Sequence, residues 1–132
     1  MVFVDTSHVY ALVNRREPRH RAAHAISERL ARQELVTTNH VLGESWTLTN
    51  RRLGHAAACE VVRAIKRSPR YTVVHVDADA EDRAFEWLLR HDQREYSFVD
   101  ATSFETMRKL GIDEALAFDE DFEAAGFRTL RA

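Results

Sequence analysis

One cysteine among 132 residues, Cys59, excludes an intrachain disulfide, and with it the small secreted domains that depend on such bridges. The thiol falls in a helical apolar pattern and is expected to be buried. Only four glycines and two prolines are present, which excludes collagen-like and linker-like chains and points to a compact, helix-rich protein. No uncharged run is long enough to cross a bilayer, and the first residues enter a strand pattern without a basic flank or an apolar stretch of signal length. A soluble, unprocessed protein of the reducing cytoplasm, with no membrane partner, is expected. The formal net charge of -2 excludes coating of nucleic acid by bulk attraction, while leaving room for a local basic patch.

The chain is 45% hydrophobic and 30% charged, at a length suited to a single domain spanning residues 1–132. Short apolar runs alternate with longer helical patterns. The run from Val2 to Asp5 predicts a strand, and Thr6 to Val13 a first helix. After a charged turn broken by Pro18, Ala23, Ile26 and Leu30 recur at helical spacing between His20 and Arg32. Leu35 to Thr37 predicts a second strand, and Asn39 is placed to cap a helix that Gly54 ends. Ala58, Val61, Val62 and Ile65 mark a further helix stopped before Pro69. Tyr71 to Val76 alternates and is rich in β-branched residues, so it predicts a third strand. Helical patterns follow around Ala84 to Leu89 and from Val99 to Leu110, which Gly111 ends. Ala115 to Phe118 and Phe127 to Leu130 predict the last strands. Strand and helices in this order imply a three-layer α/β/α architecture with a mainly parallel central sheet.

Four acids stand out against that frame. Asp5 and Asp119 each follow an apolar run, so both carboxylates should emerge at carboxyl ends of strands, where open α/β sheets place ligands. Glu44 and Asp100 interrupt amphipathic helical patterns, Glu44 beside Leu42 and Trp46, Asp100 between Val99 and Ala101. Carboxylates among core residues need a partner, and clustered like charges resist ionisation until a cation joins them. A hard divalent cation with oxygen ligands satisfies such a set. Each acid taken alone reads as a helix cap or a solvated charge; together they read as a site.

The local sequences around these acids carry a resemblance that covers nearly the whole chain. Val2-Phe-Val-Asp-Thr-Ser7, Asn39-His-Val-Leu-Gly-Glu44, Ser97-Phe-Val-Asp-Ala-Thr-Ser103 and Ala117-Phe-Asp-Glu-Asp-Phe122, in this order and spacing, resemble the PIN-domain ribonucleases, especially the toxin subunits of VapBC toxin–antitoxin pairs. The resemblance implies a PIN-like fold and an endoribonuclease dependent on Mg²⁺ or Mn²⁺. Asp5, Glu44, Asp100 and Asp119 are then the catalytic, metal-binding acids, with Asp121 an additional metal ligand. It also implies a homodimer and a cognate antitoxin that blocks activity; with little bulk attraction available, recognition is expected to lie in RNA shape, so a structured RNA loop is the expected substrate. Many relatives carry Thr or Ser where this chain has Ala117, so Thr6 and Ser103 are the candidates for supporting hydroxyls. Hydrolysis assisted by a metal needs no side-chain nucleophile, and products with 5′-phosphate and 3′-hydroxyl ends are expected.

Other constellations weigh less. His20 and His24 stand four apart on a helix, but no Glu follows His20, so they read as a solvated face. His40 lies one turn before Glu44 and reads as structural, while Asp121 serves equally well as a cap for the turn from Phe122 to Ala125. Trp46 and Trp87 fit core or interface positions. Arg15, Arg16, Arg19 and Arg21, and separately Arg51 and Arg52, are candidates for phosphate contacts or for solubilising charge. A haloacid-dehalogenase-like phosphotransferase needs a second Asp where Ser7 stands, and a phospho-receiver needs an acidic pair at its first strand. The remaining alternative is a non-catalytic PIN-like module that binds RNA or a partner. The apolar faces of the helices from His20 to Arg32 and from Asn39 to Gly54 carry more large residues than a small sheet covers, so dimer and antitoxin contacts are expected there.

Overall fold

The computed structural model describes residues 1–131. Its elements run β1 (Val2–Val4), α1 (Thr6–Val13), α2 (His20–Arg29), β2 (Leu35–Thr38), α3 (Asn39–Leu53), α4 (His55–Arg67) and β3 (Tyr71–Val74). They continue with α5 (Ala78–Arg90), α6 (Phe98–Leu110), β4 (Glu114–Leu116), α7 (Asp121–Ala124) and β5 (Arg128–Thr129). The strands form one five-stranded sheet in the order β3-β2-β1-β4-β5, and every pairing is parallel. Parallel pairing demands helical crossovers, which is why each strand is followed by helix and why both faces of the sheet are covered.

The period of two along β1 separates two cores. Val2 and Val4 face one side with Val9 of α1, Ile26 of α2 and Val61 and Ile65 of α4. Phe3 faces the other with Phe104 and Met107 of α6, Trp87 of α5 and Phe122 of α7. The rings of Phe104 and Phe122 meet edge to face at 5.0 Å, and Phe122 lies 6.1 Å from Phe3, so an aromatic stack ties α6 and α7 to the central strand. This gives the three layers anticipated from the alternating pattern.

Element boundaries differ from the sequence reading where side chains compete for the backbone. β1 stops at Val4 because Asp5 turns its carboxylate onto the N–H of Ser7 and becomes the cap of α1. Thr38, not Asn39, caps α3 through the N–H of Val41; Asn39 instead accepts from the N–H of Val76 and pins the chain leaving β3. That bond lies outside the ladder, and β3 ends at Val74. The second helix ends at Arg29 rather than Arg32, and β4 and β5 are each shorter than their apolar runs. Gly111 closes α6 in the left-handed conformation, φ 67°, as its position implied.

Two expectations of burial are corrected. Cys59 is half-buried, with its sulfur 3.6 Å from Nδ1 of His55, because it sits at the margin of the face of α4 that packs on the sheet. The expected excess of apolar surface on the second and third helices is small: Ala23 and Ile26 of α2 are buried, and α3 exposes only Leu53 among its large apolar residues. The prominent exposed pair is on α5, Phe85 and Leu89, the latter 85% accessible. No helix among the described residues is long and apolar enough to cross a membrane.

Candidate active site

Each acid reaches the carboxyl edge of the sheet through a different local device. Asp5 is fixed as the cap of α1, where Oδ2 accepts from both the N–H of Ser7 at 3.2 Å and its hydroxyl at 2.7 Å. Asp100 is fixed by a reciprocal capping box at the start of α6: it accepts from the N–H of Ser97, and the Ser97 hydroxyl accepts from its own N–H. Asp119 follows β4 and accepts from the N–H of Asp121 at 3.2 Å. Glu44 stands in the second turn of α3 and is half-buried. For Asp5 and Asp100 the capping bonds are what aim the carboxylates, so capping and a place in the acid cluster are compatible.

Carboxylate oxygens of Asp100, Asp119 and Asp121 lie within 4.8 Å of one another. Asp5 is 3% exposed and adjoins Asp119, with which it shares a hydrogen bond when one of the two holds a proton. Burial, and then the charge of Asp119, raises the Asp5 carboxyl to about 8; the Ser7 bonds pull in the opposite direction and are outweighed. Burial also raises Asp100 to about 6, against the bonds from Ser97. Asp119 is raised by burial and by the neighbouring charge of Asp121, with a smaller push from Glu44. Glu44 thus senses the cluster but stands outside the close triad. Asp5, Asp100 and Asp119 each resist ionisation, and a bound cation would offset that penalty.

The donor chemistry fits a hard divalent ion: all the converging atoms are carboxylate oxygens, with no thiol or imidazole among them. Asp121 combines two of its anticipated roles only in part. It opens α7 as a helical residue rather than its cap, and its Oδ1 takes the guanidinium of Arg94, with Nε and Nη2 each at 3.0 Å. His40 does not join Glu44. It pairs with Glu81 at 3.0 Å and meets the Phe98 ring edge to face. His20 donates its Nδ1–H to the carbonyl of Ala11 at 2.8 Å rather than pairing with His24 on a metal.

The hydroxyl expected from Thr6 or Ser103 comes instead from Ser7. Thr6 finds no partner for its buried oxygen, and Ser103 bonds the carbonyl of Val99 within its own helix. Ser7 both donates to Asp5 and accepts from the N–H of Phe118 at 3.0 Å, so one hydroxyl links the first strand's exit to the chain just before Asp119. The Asp-Thr-Ser spacing, which places a hydroxyl two residues after a capping acid, was the available signal. Arg94 was also missed, because it lies in an irregular charged loop with no periodic pattern.

An apolar cavity of about 320 Å³ lies elsewhere. It is an apolar groove between α1 and α4 lined by Val9, Leu12, Val61, Ile65 and Tyr71, and it contains no acid. Charge, not concavity, sets the acid cluster apart.

The PIN domain family model matches residues 2–128. The 23S rRNA-specific endonuclease VapC20 of Mycobacterium tuberculosis, present in two strains, is 55% identical over 134 residues, which span 99% of this chain and 98% of that protein. The crystal structure of Mycobacterium tuberculosis VapC20, described as a sarcin–ricin loop cleaving toxin, superposes with a TM-score of 0.91 at 53% identity, covering 100% of both chains. FitAcB from Neisseria gonorrhoeae superposes with a TM-score of 0.70 over 98% of this chain and 96% of its own, at 16% identity, a likeness of fold alone. Fold, acid constellation and full-length similarity converge: the chain belongs to the PIN-domain family, among its VapC-type endoribonuclease toxins.

Proposed function

We propose that this protein cuts the sarcin–ricin loop of 23S rRNA with a Mg²⁺ or Mn²⁺ ion held by Asp5, Glu44, Asp100 and Asp119, with Asp121 at the edge of the set. The observation that carries the reading is the convergence of Asp100, Asp119 and Asp121 within 4.8 Å beside a buried Asp5 whose pKa is raised. The substrate follows from the relative that is 55% identical along the full chain. When bound, a divalent cation supplies an activated water and offsets charge on the phosphate and leaving oxygen.

The chain's own residues prepare that chemistry. Ser7 orients Asp5 and ties it to the segment bearing Asp119. The capping box of α6 fixes Asp100 at the mouth of the sheet. Raised carboxyl pKa values keep the set partly protonated until a cation displaces the protons.

The toxin works in the cytoplasm, where ribosomes are, and a cognate antitoxin restrains it; the apolar groove between α1 and α4 offers such a partner a seat. A homodimer forms across the exposed Phe85 and Leu89 face of α5. The test is cleavage of a synthetic sarcin–ricin hairpin. Mn²⁺ should support a single cut leaving a 5′-phosphate, while EDTA or Asp100→Asn should abolish it with the circular dichroism spectrum unchanged. Wild-type cleavage in Asp100→Asn would refute the site, and binding without cleavage by the wild type would favour the non-catalytic module.

A further inference from the structure

We infer that Arg94 is a phosphate-binding residue of the site, held beside the acid cluster by Asp121 so that its remaining N–H groups receive the RNA backbone next to the scissile bond. This rests on the endonuclease reading above. Arg94 lies in the irregular segment between α5 and α6, and its Nε and Nη2 both reach Oδ1 of Asp121 at 3.0 Å. Asp121 in turn has a carboxylate oxygen within 4.8 Å of oxygens from Asp100 and Asp119. The guanidinium is therefore one carboxylate removed from the cluster.

A guanidinium carries five N–H donors in a planar fork. Nε–H donates to Asp121, Nη2 lies 3.0 Å from the same oxygen in the ion pair, and the Nη1 pair donates to none of the described residues. The side chain is 37% accessible, so those donors face solvent at little desolvation cost. This arrangement answers a problem posed by the site's charge. An acid cluster repels the polyanion it is to cut, and the chain's net charge of -2 supplies no general attraction. A cation seated on the rim attracts the phosphate locally while engaging only Oδ1 of Asp121, at the edge of the set, and leaving Asp100 and Asp119 free of it. Other arginines are less well placed. Arg83 is committed to Glu105, while Arg19 rests on the Phe118 ring and Arg52 on that of Tyr10.

The arrangement also divides the work of Asp121. Oδ1 holds the guanidinium, and Oδ2 takes no hydrogen bond from the described residues. Asp121 is then the positioning residue through which the acid cluster and the phosphate clamp share a geometry.

The test compares full-length wild type, Arg94→Ala, Arg94→Lys and a charge-matched control, Arg90→Ala, which removes an exposed arginine at the end of α5. The probe is a fluorescent sarcin–ricin hairpin, its affinity measured by anisotropy in EDTA across a salt series. Mn²⁺ binding is read separately from thermal stabilisation. Arg94→Ala should weaken hairpin binding about tenfold, the loss expected for charge-assisted hydrogen bonds. It should also flatten the salt dependence by roughly 0.7 in log–log slope, the value for one single-strand phosphate. Arg94→Lys should restore the slope but not the full affinity, and Arg90→Ala should match wild type. Mn²⁺ should bind Arg94→Ala as well as wild type or better, since a nearby cation is gone. Unchanged affinity and slope in Arg94→Ala would overturn the inference, as would a loss of Mn²⁺ binding in that variant, which would make Arg94 a prop for the metal acids. If wild type neither binds nor cleaves the hairpin, the endonuclease reading fails first and takes this one with it.

Discussion

Neutralising Asp5 should stabilise the metal-free protein while it abolishes cleavage. Burial, followed by the charge of Asp119, holds the Asp5 carboxyl at about 8 against an ordinary 3.8. A displacement of about 4 pH units at about 1.4 kcal/mol each bounds the penalty of ionising Asp5 in the folded chain at about 6 kcal/mol. Burial is the larger cause, and relaxation and water entry around an ionised carboxylate reduce it, so roughly 3 kcal/mol is assigned to Asp5 itself. The folded pKa lies above the unfolded one. The stabilising contribution of the protonated carboxyl is therefore fully present below about pH 4 and is lost as pH rises through about 8. Asp5→Asn keeps an oxygen acceptor for Ser7 and cannot ionise. In EDTA its Tm should exceed that of wild type by about 10 °C near pH 9, with the two curves converging near pH 4. Added Mn²⁺ should raise the wild-type Tm and leave that of the variant nearly unmoved, because binding to the folded state alone stabilises it. Thermal melts followed by circular dichroism read every arm. A wild type as stable as Asp5→Asn near pH 9 in EDTA, or a difference independent of pH, would refute the electrostatic account.

Ser7→Ala removes a donor to Asp5 and orphans the N–H of Phe118. It should cost about 1–3 kcal/mol in urea unfolding and raise the Asp5 pKa further; no loss of stability would mean the hydroxyl link carries no weight. Leu89→Asp places a charge on a residue that is 85% exposed. It should convert the proposed dimer to a monomer in sedimentation experiments with a Tm within a few degrees of wild type; a Leu89→Asp dimer would move the interface off α5, and a monomeric wild type would refute the dimer itself.

Much of the architecture is legible in the sequence because alternation and helical periodicity report burial directly. Val2, Phe3 and Val4 announce a strand buried on both faces, and Gly111 announces the end of α6. The acids are legible for a related reason: Asp5 and Asp100 are too deeply set among apolar neighbours to be ordinary surface charge. What stays hidden are contacts between distant segments with no periodicity of their own. Nothing near Asn39 reveals that its amide holds Val76, and Thr38 is an equally good cap on composition. Ser7 reads locally as part of a turn, whereas its bond to Phe118 depends on β1 and β4 lying side by side. Arg94 is the extreme case, a loop residue whose role depends wholly on where α7 brings Asp121.

The pairing of β1 with β4 sets Phe3 opposite Ala115, so Asp5 meets Asp119 only when the ends of a long stretch of chain have been brought together. During translation, the ribosome makes Asp5 and Glu44 early and Asp100 and Asp119 late. A nascent chain that stops short of β4 lacks Asp119 and Asp121 and has no closed sheet to gather the acids it holds. Contacts of such sequence separation also form slowly, since loop closure must precede the gain from pairing. The enzyme is thus inert while it is being made. For the ribonuclease proposed here, strand order provides an interval in which a proposed restraining partner can be ready before the first competent molecule exists.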